Sequence, residues 1–179
     1  MIRQAIDSYA ANLDAQARPA TVDRLTSINP PVTQLEFVFA DSMKTIQIGY
    51  DGKPGTTVVL GATGIPTNGA QDEILLFKVG TQEGCLVETY YADDGTRTNR
   101  YSLSPDGMSM AMEVTVESPY MPASLVYRVG FARKGGTRAI PRKAIAPVSN
   151  TCQFPAFANL FPSSLACRLT RNVNGRSSF

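Results

Sequence analysis

The clearest hydrophobic pattern in this chain is a two-residue alternation between residues 85 and 133. From Met108 to Val116 every second side chain is apolar, and those between are small or polar. A second stretch repeats the pattern from Leu125 to Phe131. Because successive side chains of a strand point to opposite faces, this period of two predicts half-buried strands with one face toward a core.

Turn residues separate these strands at short intervals. Asp93-Asp94-Gly95 is a hairpin signal between predicted strands at 85–91 and 96–103. Ser104-Pro105-Asp106-Gly107 is a turn in which proline sets one φ and glycine supplies a left-handed position. Two prolines in segment 118–122 cannot donate to a ladder, so this segment predicts a connection. The region therefore predicts an antiparallel meander.

The order of these motifs resembles the C-terminal half of lipocalin-like bacterial domains. The resemblance rests on segment 100–107 (RYSLSPDG), the long alternating strand after it, Ser118-Pro119, Pro122 and the closing strand that ends at Arg133. It covers residues 35–133 and implies a small antiparallel barrel or curved sheet, and with it a carrier of a small hydrophobic ligand. The chain has no tryptophan, so it lacks the Gly-x-Trp motif of lipocalins proper.

The rest of the chain adds a helix, a connector and further strands. Apolar residues at helical spacing predict an amphipathic helix over 2–17, and Pro19 follows its end. We expect a connector at 21–33, strands at 34–39, 46–50, 56–60 and 73–79, and a loop at 61–71. The predicted fold class is all-β: an up-and-down meander of about eight strands, as a barrel or small sandwich, with an N-terminal helix and an extended C-terminal arm. The corresponding regions are 1–33, 34–134 and 135–179.

Charge divides the chain into an acidic body and a basic arm. Residues 1–133 contain 10 Lys+Arg against 15 Asp+Glu, whereas residues 134–179 contain seven Lys+Arg and no acidic residue. The arm also carries a cluster too apolar for a solvated tail. We therefore expect it to dock on a protein partner or another copy of the chain, with these partner-binding residues: Phe154, Phe157, Leu160, Phe161, Arg168 and Arg171. Nucleic acid is not favoured, because the phenylalanines are set apart from the arginines and the body is acidic.

Three cysteines leave one unpaired if an intrachain disulfide forms. We expect Cys152 and Cys167 to pair, because a disulfide there would stabilise a segment that has little hydrophobic core of its own. The alternative is three reduced, buried thiols.

Histidine is absent, which removes the commonest general base and zinc ligand. The Gly61-Ala62-Thr63-Gly64 turn resembles a nucleotide-binding loop, but Pro66 obstructs the helix that would have to follow. The aspartates stand in turn signals, where they cap backbone N–H groups. The sequence therefore predicts no catalytic residue, no cofactor and no metal site.

The inward face of the meander is the candidate ligand site. The tentative lining consists of Met108, Met110, Met112, Tyr101 and Tyr127, with further hydroxyls from Tyr50 and Tyr90. The alternative interpretation is that these side chains simply fill the core.

Three functions remain open at this stage. The first is a non-enzymatic module whose arm mediates assembly, on the premise that the sheet is complete at Arg133. The second is a carrier of a small hydrophobic ligand, and the third is a histidine-free isomerase or cyclase, which would need a cavity with a tyrosine or carboxylate of shifted pKa. No apolar run is long enough to span a membrane and no signal peptide is recognised, so the chain is expected to be cytoplasmic or the mature form of an exported protein.

Overall fold

A computed structural model describes residues 2–69, 72–133 and 166–171, the last range as backbone alone. The described part contains two helices and ten strands: α1 Ile2–Ala10, α2 Arg18–Ile28, β1 Gln34–Ala40, β2 Thr45–Tyr50, β3 Thr57–Val59, β4 Ile65–Asn68, β5 Ile74–Gln82, β6 Cys85–Ala92, β7 Gly95–Leu103, β8 Ser109–Glu117, β9 Leu125–Arg133 and β10 Ala166–Arg171.

Every paired strand in the described sheet is antiparallel, and the order is β3-β2-β1-β10-β9-β8-β7-β6-β5-β4. Strands β4 to β9 form an uninterrupted meander, and β1 to β3 form a second antiparallel group at the other end of the same sheet. The predicted all-β antiparallel fold is confirmed.

Strand β10 joins these two groups of strands into one sheet. Its backbone pairs with β1, where Phe37 lies opposite Cys167, and with β9, where Arg133 lies opposite Leu169. The premise that the sheet is complete at Arg133 is therefore wrong. The pattern after Arg133 could not reveal this, because a strand's partners far along the chain leave no local signal.

The two end strands of the sheet approach each other without closing a barrel. Beyond β3, the Gly61 N–H donates to the carbonyl of Val79 in β5 at 2.9 Å. No ladder joins β3 to β4 among the described residues. The sheet is thus strongly curled and open along one seam, so of the two predicted forms, a barrel or a small sandwich, the closed barrel is not formed.

The concave face of the curled sheet encloses the core. The ring centroids of Phe37 in β1 and Tyr101 in β7 lie 5.2 Å apart in an edge-on arrangement, although three strands, β10, β9 and β8, lie between β1 and β7 in the sheet. The alternation predicted for β8 and β9 is confirmed: Met110, Met112, Val114 and Val116, like Leu125, Tyr127, Val129 and Phe131, are buried.

The N-terminal region differs from its prediction in having two helices. Helix α1 buries Ile2, Ile6 and Ala10 at four-residue spacing, which confirms the helix but ends it earlier. The predicted connector at 21–33 is largely helix α2, in which Pro19 occupies the first turn instead of following a helix. Proline suits that position because its missing N–H would have no partner there. Neither helix is long and apolar enough to cross a membrane.

The predicted loop at 61–71 contains strand β4, whose Pro66 lies opposite Leu76 at the sheet edge. Proline is tolerated there because an edge strand leaves one row of N–H groups unpaired. The prediction of a continuous loop was wrong, because the proline does not prevent an edge strand from forming.

Candidate functional site

The predicted ligand wall belongs to the packed core. Met110, Met112, Tyr101 and Tyr127 are buried side chains of the core. Met108 precedes β8 and is only half-buried. None of the five lines the cavity described next. Tyr50 and Tyr90, whose hydroxyls were also considered, do line it.

The cavity lies between α2 and the end of the sheet where β6 turns into β7. Its volume is about 590 Å³, within the range of small-molecule sites. Helix α2 contributes Leu25 and Ile28, and β8 contributes Val116. Most of the accessible surface of the wall is apolar, although charged residues line it too. The apolar side chains that contribute are Ala20, Leu25, Ile28, Pro30, Val32, Leu75, Ala92, Val116 and Met121.

A buried carboxylate lies beneath the polar side of this cavity. Glu88 is 0% exposed, and its Oε2 accepts hydrogen bonds from the hydroxyl of Tyr101 at 2.6 Å, from Nδ2 of Asn99 at 2.6 Å and from the hydroxyl of Tyr50. Its Oε1 accepts from the hydroxyl of Tyr90 at 2.7 Å. A buried charge is tolerated only when it is hydrogen-bonded in this way.

The β6–β7 hairpin places these residues together. Its register sets Glu88 opposite Asn99 and Tyr90 opposite Arg97. Glu88 has the same strand parity as Leu86 and Tyr90, so all three face inward. Tyr50 reaches the cluster from β2 across the core, and its hydroxyl lies 2.8 Å from that of Tyr101.

Burial keeps the tyrosines of this cluster protonated. Desolvation, and then the charge of Glu88, raises the pKa of Tyr50 and of Tyr101 well above the usual value. The same two causes, in the same order, raise the pKa of Tyr90. The three hydroxyls therefore remain donors to Glu88 under all ordinary conditions.

Helix α2 is held over the cavity by three polar contacts. Arg24 Nη2 lies 2.8 Å from Oδ2 of Asp94 in the β6–β7 turn, and Arg97 donates from Nη1 to the carbonyl of Ile28 at the helix C-terminus. The hydroxyl of Tyr127 donates to Oδ1 of the buried Asn29 at 2.9 Å. The cavity therefore has a fixed roof and a fixed polar floor.

Sequence reasoning did not single out Glu88, Asn99 or Arg97. A usable signal was present, because the turn of this hairpin was recognised from the sequence. In a strand, every second residue faces the same side, so these three residues face inward together with the apolar and aromatic residues two or four positions away. Polar residues at inward positions of facing strands indicate a buried polar cluster. The tyrosines on both sides then supply its donors.

The remaining predicted site residues do not join this cavity. Phe154, Phe157, Leu160 and Phe161 lie outside the described residues, and Arg168 and Arg171 lie in β10, whose side chains are not described. Assembly through them stays a prediction. Within the described ranges, no group of three or more Cys, Asp or Glu side chains could hold a metal ion.

The cysteines differ from their prediction. Cys85 is buried at the start of β6 and is disulfide-bonded, whereas the predicted pairing of Cys152 with Cys167 would leave it unpaired. The alternative of three reduced thiols is wrong for the same reason. Cys152 and the side chain of Cys167 lie outside the described part of the chain.

Comparison with known proteins adds no relative from which a function could be transferred. The chain matches no protein-family model, no curated protein and no solved structure. The functional argument therefore rests on the geometry of the cavity.

Proposed function

We propose that this protein binds a small, mainly apolar molecule in the cavity between α2 and the curled sheet. The observation that carries the proposal is the combination of an apolar wall with a polar floor whose hydrogen bonds are already satisfied within the protein. A floor of this kind keeps its shape without a ligand, which reduces the ordering cost of binding. The resemblance of the meander to lipocalin-like domains agrees with this role.

Binding is favoured over catalysis by the state of the polar groups. Glu88 does not line the cavity and its oxygens are occupied by four donors, so it does not meet a substrate proton. Tyr50 and Tyr90 line the cavity, but desolvation raises the pKa of each hydroxyl and makes it a poorer acid. The isomerase or cyclase alternative required a group with a shifted pKa, and the direction of these shifts does not help acid catalysis.

Filling the cavity tests the proposal. Leu75 and Leu76 are consecutive residues of β5, and Leu75 lines the cavity whereas Leu76 is 43% exposed on the opposite face. We expect Leu75→Trp to weaken binding of the neutral apolar dye N-phenylnaphthylamine by about tenfold or more, since the indole occupies the space that the ligand needs. Leu76→Trp should bind like the wild type.

Calorimetric titration of the full chain and both variants gives the affinities, and thermal unfolding of each shows that the fold is kept. Failure of the wild type to bind apolar molecules, or equal affinity in both variants, would overturn the proposal.

A further inference from the structure

Arg97 is one of six described charged residues that line the cavity, whose accessible surface is mostly apolar. It lies on the inward face of β7 and is only partly exposed. Its Nη1 donates to the carbonyl of Ile28, and its Nε donates to Oδ1 of Asn99 at 3.2 Å. Both partners are neutral; the carbonyl at the C-terminus of α2 carries a partial negative charge, but neither partner supplies a full counter-charge for the guanidinium.

No described carboxylate forms an ion pair with Arg97, and no described residue accepts a hydrogen bond from its Nη2. The hydrogen-bonded chain from Arg97 reaches Glu88 only through Asn99. A partly buried guanidinium that lacks an anionic partner is costly. A ligand oxyanion would supply that partner, and the planar fork of arginine suits a carboxylate or sulfonate.

Among the residues that the structure describes, four carboxylates line the cavity, those of Asp51, Glu73, Asp94 and Glu117, and none of them forms an ion pair with Arg97. Oδ1 of Asp51 accepts hydrogen bonds from the Thr33 hydroxyl, from the Thr33 N–H and from the Gln34 N–H. Asp94 pairs with Arg24, and the exposed Glu117 accepts from Ser124. The charges of Asp51, Asp94 and Glu117 are thereby balanced by a cation, by several donors or by exposure to solvent, whereas the partly exposed Arg97 has only neutral hydrogen-bond partners.

We infer that the ligand is an amphipathic organic anion whose oxyanion binds Arg97 and whose apolar body lies against the cavity face of α2. The inference rests on the proposed function, because it names the chemical class that the same cavity takes. Arg97 also fixes the end of α2 through Ile28, so an anion at Arg97 would bind directly beneath the roof of the cavity.

Two dyes that differ by one sulfonate test the inference. Anilinonaphthalene sulfonate carries the anionic group, and N-phenylnaphthylamine is the same aromatic body without it. We expect the wild-type chain to bind the sulfonate at least about tenfold more tightly than the neutral dye, because a hydrogen bond between charged groups is among the stronger ones. Arg97→Gln should abolish the preference, and Arg97→Lys should keep part of it.

Arg100→Gln is the matched control, because Arg100 lies on the outward face of the same strand and pairs with Glu83 at 2.8 Å. Fluorescence titration gives the affinities, and thermal unfolding confirms that each variant is folded. Equal affinity of the wild type for both dyes, or a preference that survives Arg97→Gln, would overturn the anion inference while the proposed function stands. If neither dye binds the wild-type cavity, the proposed function itself fails.

Discussion

Glu88 occupies an inward position of β6, between Leu86 and Tyr90 on the same face of the strand. Strand alternation predicts that this face of β6 is buried, and the structure confirms it. A buried face is usually apolar, yet Glu88 places a carboxylate on it. The reason is that donors converge on it from other strands: Tyr50 from β2, and Asn99 and Tyr101 from β7. Such convergence depends on the curl of the sheet. The sequence could therefore indicate that Glu88 is a carboxylate at an inward position, but not which residues donate to it.

The tyrosine cluster makes alkaline stability a testable property. Desolvation and the charge of Glu88 raise the pKa of Tyr50 and Tyr101 in the folded chain above the unfolded value of about 10. A raised pKa means that the stabilisation is complete below about pH 10 and is lost progressively as the pH rises further. We therefore expect the buried tyrosines to ionise together with unfolding, in one cooperative step above about pH 10.

Ultraviolet absorbance of tyrosinate, followed in parallel with circular dichroism of the β-sheet, measures this step. The chain has seven tyrosines, and the early, non-cooperative part of the titration comes from exposed phenols. Ionisation of all seven with the sheet signal retained would contradict the hydrogen-bonded cluster.

At the scale of elements, local patterns predicted what is built from local contacts. The meander from β6 to β9 was predicted because alternation and turn residues agree along its length. Helix α2 was missed because its apolar pattern is weak and Leu25 is its one fully buried side chain. Its position depends on polar contacts with Asp94, Arg97 and Tyr127. These partners lie 69 to 98 residues away in sequence, so the contacts leave no periodic signal.

The contact between Tyr127 and Asn29 fixes the end of α2 and predicts a stability difference. Both side chains are buried, and Tyr127→Phe would leave the amide oxygen of Asn29 without its donor. We expect the variant to lose about 1–3 kcal/mol of unfolding free energy, the usual cost of an unsatisfied buried polar group.

Tyr120→Phe is the control, since Tyr120 is 83% exposed and its change should stay within about 0.5 kcal/mol. Denaturant unfolding measures both variants. Equal effects would mean that the Tyr127 hydroxyl does not hold the helix.

At the scale of the whole molecule, the structure changes the order of the three functional hypotheses. Assembly through the C-terminal arm was preferred on the premise that a complete sheet precedes it, but β10 lies between β1 and β9 and completes that sheet. The ligand hypothesis rested on a wall of methionines that the core fills. A cavity nevertheless exists at the end covered by α2, where sequence patterns predicted a connector. Long-range strand pairing determines the position of β10, and the curl of the sheet determines the position of the cavity. Local periodicity encodes neither the pairing nor the curl.

The central claim is that the cavity beneath α2 is the ligand site, and a crystal structure of the full chain grown with N-phenylnaphthylamine tests it most directly. We predict the dye between α2 and the β6–β7 hairpin, in contact with Leu25, Leu75 and Tyr90. A dye bound instead on the exposed face around Ile74 and Leu76, or within the core beside Met110 and Met112, would contradict the claim.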